Sequence, residues 1–204
     1  SDLGVFLVQE QARAQGAPAE RVRGVVTQWR GGYSGGTYAS IFDGWRRAGA
    51  DKEARAQLQD PYQLNSEAGR GGADPAERIG AAWSPEHETW TGLFLMAPVN
   101  TRVVRRTNEL LGYPYGERFS YREARGFGRG AGGRLRAAWN TLSMVSFFLW
   151  GMIPPTRWLL RRFLPSPGGG PSASTRQRGA FRFDFVGTGA SEVRATIAGE
   201  MDLY

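Results

Sequence analysis

The residues best suited to chemistry stand at two helix starts. Asn100 and Arg102 open the stretch NTRVVRRTNELL (100–111). An amide and a planar guanidinium at one helix start can bind a phosphate or a carboxylate. The competing reading makes Asn100 the N-cap and Arg102 a surface arginine, and capping alone accounts for the asparagine. The second place is WRGGYSGGTYASIFDGW, Trp29 to Trp45, where Gly31, Gly32, Tyr33, Ser34, Gly35, Gly36 and Thr37 join a strand to a helix. Glycine takes positive φ in so short a turn and lets another backbone or a ligand come close. Ser34 is a natural N-cap, and the N–H groups of the turn, with the helix dipole behind them, form a candidate anion seat. The spacing is neither GxGxxG nor a Walker loop with its lysine. A tight turn packed under another domain is therefore preferred over direct ligand contact.

Other chemistry finds little support. His87, the only histidine, sits in the polar loop SPEHET and reads as solvated. Asp74, Glu86 and Glu88 show no pattern, and paired carboxylates at helical spacing are absent, so hydrolase chemistry has no candidate site. The absence of cysteine excludes disulfides, thiolate nucleophiles and zinc–cysteine sites; no metal is expected. Tyr33, Tyr38 and Tyr62 are the candidate proton donors, and the catalytic residues stay unassigned.

The elements that must position these groups are legible in part. LGVFLVQEQARAQ (3–15) has helical spacing, and ERVRGVVTQWR (20–30) reads as a strand. TYASIFDGWRRA (37–48) is a helix with Tyr38, Ile41, Phe42 and Trp45 on one side. Residues 51–82 form a polar excursion with a short helix near 51–58 and a mobile loop at GRGGADP (69–75). In 100–111 Val103, Val104, Leu110 and Leu111 are expected inward. ERFSYREA (117–124) alternates as a strand, and GFGRGAGG (126–133) reads as a flexible hinge. GAFRFDFVG (179–187) and SEVRATIAGEM (191–201) alternate on either side of a GTGA hairpin. The implied fold is α+β, a mixed and largely antiparallel sheet with helices on one face and an apolar helical arm.

That arm, residues 137–164, begins with 20 uncharged residues from Ala137 to Thr156. Length alone admits a membrane span, but Asn140, Thr141, Ser143 and Ser146 dilute it and Pro154-Pro155 breaks it. RWLLRRFLP then sets arginines among large apolar side chains, a pattern suited to an interface. Trp139, Trp150, Arg157, Trp158, Arg161 and Arg162 are the expected membrane contacts; the alternative is a helix buried in the core or at a dimer interface. The net charge of +7 is nearly all arginine, since Lys52 is the only lysine. Arginine bias follows from a GC-rich genome, so it is no sign of nucleic-acid recognition, and no aromatic–basic RNP motif is present. Basic clusters flanking the apolar stretch favour anionic headgroups instead.

Five phrases occur in order: SDLG at Ser1–Gly4, GGYSGGTYAS at Gly31–Ser40, DPYQLN at Asp60–Asn65, APVNTRVVRRTNELL at Ala97–Leu111 and FLPSPGGGPS at Phe163–Ser172. Together, over nearly the whole chain, they resemble the saccharopine dehydrogenase-like oxidoreductases, the group that includes the trans-acting enoyl reductases of lipid synthesis. In that group SDLG ends a longer phrase of the type GFDSIPSDLG, which follows a nucleotide-binding Rossmann domain, and the chain runs on beyond the point of GEMDLY. The resemblance implies that residues 1–204 are a partial second domain, of the substrate or dimerisation type, without the N-terminal Rossmann domain. It implies NAD or NADP bound mainly by that missing domain, with Ser1 and Asp2 near the cofactor and Gly31, Gly32, Ser34, Gly35, Gly36, Thr37, Asn100 and Arg102 on the substrate or cleft side. The expected partners are the missing domain, a membrane surface or lipid substrate, and a second copy in a homodimer, at the cytoplasmic side of a membrane. The implied activity is oxidation or reduction of a lipid-like substrate; the alternative is a non-catalytic lipid-binding module of the same shape.

Overall fold

Valines at alternate and adjacent positions of RVRGVVTQWR are buried and build a strand in the interior of the sheet. In this computed structural model, which describes residues 1–70, 72, 74 and 79–200, the strands are β1 (Arg21–Arg30), β2 (Ala82–Ser84), β3 (Thr89–Gly92), β4 (Ser120–Gly126), β5 (Ala180–Thr188) and β6 (Glu192–Gly199). The helices are α1 (Asp2–Ala14), α2 (Gly35–Ala50), α3 (Lys52–Gln59), α4 (Ala97–Leu110), α5 (Gly130–Met152), α6 (Pro154–Phe163) and α7 (Ala173–Gln177), with a 3₁₀ turn at Ala68–Arg70. The strands form one sheet in the order β2-β3-β4-β1-β5-β6. β1 runs parallel to β4, with Arg21 opposite Ser120 and Val25 opposite Ala124. β3 is antiparallel to both β2 and β4. The fold is thus the expected α+β class, a mixed and mostly antiparallel sheet with helices.

The chain divides into two compact units: Ser1–Gln28 with Asp60–Thr141 and Arg182–Ala198, and Trp29–Gln59 with Leu142–Phe181 and Gly199–Tyr204. The first holds the body of the sheet. Its core is Val5, Val8, Val22, Val25, Val26, Val104, Tyr121, Phe183, Phe185 and Val186. α1 approaches β5 closely because two glycines leave room. A Cβ on Gly4 would lie 2.3 Å from the Phe185 ring, and one on Gly187 would lie 2.4 Å from Val8. The glycine of SDLG is thereby explained by packing. In the second unit α2 presents Tyr38, Phe42 and Trp45 to Phe147 of α5, with ring centroids 5.3 to 6.4 Å apart.

Several expectations need correction. Met96 occupies the N-cap position of α4, so Asn100 lies one turn inside the helix and caps nothing. Val103, Leu110 and Leu111 are exposed, while Thr101, Arg105 and Asn108 are buried beside Val104. The inner face of α4 is polar because it serves two hydrogen-bonded networks. The expected hinge at 126–133 is cut short by α5, which starts at Gly130. Gly128 and Gly130 take positive φ, and Gly133 lets the helix pass the Gly128 carbonyl, 2.3 Å from where a Cβ would be. Of the loop expected at 69–75, residues 69 and 70 belong to the 3₁₀ turn, and residues 71, 73 and 75 lie outside the described residues.

Candidate functional site

Residues two apart in a strand share a face, and in β4 that rule puts Tyr121 and Glu123 together. Tyr121 is fully buried and Glu123 nearly so. The Tyr121 hydroxyl donates to Glu123 Oε1 at 2.5 Å, and Asn100 Nδ2, reaching from the first turns of α4, donates to Oε2 at 2.9 Å. The Ser1 side chain, at the head of α1, lies beside both groups and favours their charged forms. Burial, the largest influence, pushes the Glu123 pKa up against the hydrogen bonds from Ser1, Tyr121 and Asn100, which lower it. Burial likewise pushes the Tyr121 phenol well above its ordinary value, and the neighbouring Glu123 adds to the shift. Asp2 lies beside them: its Oδ2 accepts from Thr107 at 3.1 Å, while its buried Oδ1 has no hydrogen-bond partner. A carboxyl held toward its protonated form beside a phenol and an amide is an arrangement that can store and present a proton.

Ser1, Asp2 and Asn100, three of the residues singled out from sequence, therefore meet in the first unit around two that were missed. Alternation in YREA would have paired Tyr121 with Glu123; what could not be read was that Asn100 faces them. Arg102 turns elsewhere. Its Nε donates to the Asp60 carbonyl at 3.0 Å and its Nη1 to the Pro98 carbonyl at 3.1 Å, fastening the DPYQLN phrase to α4.

The neighbouring network carries an ion pair. Arg105 Nε meets Asp74 Oδ2 at 2.8 Å, both side chains essentially buried. Asp74 also accepts from the Ser120 hydroxyl at 2.5 Å and the Tyr121 N–H at 3.0 Å, and Arg105 donates to the carbonyls of Pro61 and Tyr121. The Tyr62 hydroxyl accepts from the Asp74 N–H, and its ring lies under the guanidinium. Asp74, which showed no pattern in sequence, is thus a structural hub, and Tyr62 is occupied there. His87 is half-buried, contrary to its solvated reading. Its Nε2 faces the Asp184 carbonyl at 3.1 Å and its Nδ1 the Ser84 hydroxyl at 3.1 Å. A carbonyl only accepts, so the proton belongs on Nε2. Burial lowers the His87 pKa. Among the described residues no cluster could hold a metal ion.

The glycine turn belongs to the second unit. Ser34 caps α2 as expected, its Oγ accepting from the Thr37 N–H at 3.2 Å. Among Gly31, Gly32, Gly35 and Gly36, positive φ occurs only at Gly31. Gly35 is needed for another reason: a Cβ there would lie 1.7 Å from the Ser166 carbonyl oxygen, and its N–H donates to the Gly169 carbonyl at 2.9 Å. Gly32 packs on Pro171 in the same way, 3.1 Å from its ring. The PSPGGGPS segment sits on the helix start and takes the Gly35 N–H, while Ser34 takes the Thr37 N–H, so the seat imagined for an anion is filled by the chain itself. Tyr33 stacks on Trp29 and meets Tyr38 edge-on. The other helix start, at Ser1, carries the acidic Asp2, which repels phosphate. These residues do not fit the pyrophosphate of a dinucleotide.

Of the expected membrane contacts, Trp139, Trp150, Trp158 and Arg162 are exposed. Arg157 is half-buried, and Arg161 lays its guanidinium over the Phe42 ring at 5.3 Å. No helix among the described residues is long and apolar enough to cross a membrane.

No family model matches the chain, and no solved structure matches it. Proteins that carry the words trans-acting enoyl reductase in their names do. One from Mycobacterium tuberculosis is 37% identical over 212 residues, covering 95% of this chain and 49% of the relative. One from Mycobacterium bovis is 37% identical over 184 residues, 84% of this chain and 44% of the relative. One from Mycobacterium ulcerans is 33% identical over 222 residues, 100% of this chain and 52% of the relative. The chain spans about half the length of these curated relatives, and it is homologous, from near one end to the other, to that half of the trans-acting enoyl reductases.

Proposed function

We propose that these residues form the acceptor side of an NAD(P)-dependent oxidoreductase of the saccharopine dehydrogenase-like kind, one that reduces a double bond in a lipid-like acyl substrate. The observation that carries this reading is the homology over 95% of the chain to proteins named trans-acting enoyl reductase. Two features of the chain support it. Neither the α1 start in SDLG nor the α2 start in GGYSGGTYAS offers a free phosphate cradle, in keeping with a cofactor held by residues outside this chain. And enoyl reduction consumes a proton as well as a hydride. Glu123, inclined by burial to keep its proton and joined to Tyr121, Asn100 and Ser1, is the group suited to hold that proton close to Asp2.

The test is a chimera in which residues 1–204 replace the matching segment of the Mycobacterium tuberculosis relative. Supplied with NADPH and a long-chain 2-enoyl thioester, it is expected to oxidise NADPH only when the thioester is present. Glu123→Gln in the chimera should lower kcat by roughly 10²-fold or more, the usual contribution of a positioned acid, with little change in KM. A folded chimera that binds NADPH yet leaves the thioester unreduced would overturn the proposal. Full activity in the Glu123→Gln chimera would remove Glu123 from it.

A further inference from the structure

The corner between α5 and α6 turns apolar side chains outward where a folded protein normally hides them. Within the second unit Trp150 is 58% exposed, Met152 61%, Trp158 68% and Phe163 79%, with Leu149, Ile153 and Leu159 close to half exposed. The corner is built, not frayed. Gly151 packs so tightly on Trp45 that a Cβ would lie 1.7 Å from its ring. Pro154 opens α6, and the Thr156 hydroxyl donates to the carbonyls of Trp150 and Ile153 at the end of α5. On α6 a helical period of 3.6 residues places Trp158, Leu159, Arg162 and Phe163 on one outward arc, while Leu160 is half-buried and Arg161 stacks on Phe42. Soluble proteins rarely leave so large an apolar patch uncovered without an occupant for it.

The charge around the patch selects the occupant. From Leu142 to Phe181 there is no aspartate or glutamate, but there are five arginines: Arg157, Arg161, Arg162, Arg176 and Arg178. A second copy meeting this face across a two-fold axis would set arginine against arginine, which disfavours self-pairing. A surface of anionic headgroups over hydrocarbon matches both halves of the pattern, with tryptophans at headgroup depth and arginines on phosphate. We propose that the α5–α6 corner docks on the surface of a bilayer that contains anionic phospholipid, lying in the interface with Trp150, Trp158, Leu159 and Phe163 inserted and Arg162 on headgroups. This inference stands apart from the oxidoreductase reading and survives its failure.

Flotation of the chain with vesicles tests it. With vesicles of phosphatidylcholine containing about one third phosphatidylglycerol at low salt, the chain should float; with phosphatidylcholine alone it should stay below, and high salt should release it. Trp158→Ser, Leu159→Ser and Phe163→Ser together, all exposed positions, should abolish flotation while circular dichroism and the melting temperature hold. Arg162→Glu should weaken it by roughly tenfold or more through lost attraction and added repulsion. Arg161 is left intact because it packs on Phe42. Wild type that fails to float with anionic vesicles overturns the proposal. So does a triple variant that floats as well as wild type. A chain that self-associates through this face without binding vesicles, or that captures a protein partner and ignores lipid, overturns it equally.

Discussion

Gly35 and Gly36 are adjacent in α2 and face different surroundings. A methyl group on Gly35 would strike the Ser166 carbonyl, whereas on Gly36 it would meet only the Ser34 hydroxyl at 3.6 Å. Gly35→Ala should therefore cost about 1–3 kcal/mol or more through overpacking against backbone. Gly36→Ala should be neutral or stabilise by about 0.5–1 kcal/mol, the helix preference of alanine. Urea denaturation of the two variants decides it. Asp74→Ala should cost about 3–5 kcal/mol, because it removes the buried carboxylate that meets Arg105 and accepts from the Ser120 hydroxyl and the Tyr121 N–H. Two groups give the molecule a pH signature. His87 has a lowered pKa, so its contribution is complete above about pH 6.5, the unfolded value, and is lost as pH falls through the lowered folded value; wild type should weaken on acidification relative to His87→Gln. Glu123 has a raised pKa, so its contribution is complete below about pH 4.3 and is lost as pH rises through the raised folded value; wild type should weaken relative to Glu123→Gln across that range. Denaturation curves at a series of pH values measure both. Ser1, Asp2 and Asn100 were singled out from the sequence, the first two only through the resemblance, whereas Tyr121 and Glu123 were not. The roles of the glycines were not, because a close approach by Ser166 leaves no mark near Gly35 in the sequence.

At the scale of elements, periodicity was a good guide wherever a face is apolar and a poor one where it is not. β1, β4 and β5 bury their valines and aromatics as their alternation implies. α4 defeats the rule: its apolar Val103, Leu110 and Leu111 lie outward and its polar Arg105, Asn108 and Thr101 inward. Arg105 answers the Asp74 carboxylate, 31 residues away, and Asn108 answers the backbone of Tyr115 and Gly116, so the polarity of that face is decided outside the helix. The same logic applies to α1, whose closeness to β5 rests on two glycines far apart in sequence. Gly4→Ala should lower stability by about 1–3 kcal/mol, because the Phe185 ring must leave its place. Phe185→Leu in the Gly4→Ala background should recover part of that loss, whereas Phe185→Leu alone should destabilise. A double-mutant cycle by thermal or chemical denaturation reads the coupling.

For the whole molecule the proposed function implies a division of labour in which these residues would supply the acceptor side and a proton, and the dinucleotide would be held elsewhere. Composition and charge indicated a folded basic protein, and five phrases in order indicated the relatives. Neither could show that the glycine turn, the most ligand-like phrase in the sequence, is closed by the chain's own PSPGGGPS segment. That closure makes the central claim directly measurable. Calorimetric titration of the chain with NADPH should give no binding below about 1 mM, an affinity weaker than about −4 kcal/mol, while the full-length Mycobacterium tuberculosis relative should bind at micromolar concentration. Micromolar binding by the chain itself would contradict the account, for it would place the cofactor on residues assigned here to the acceptor.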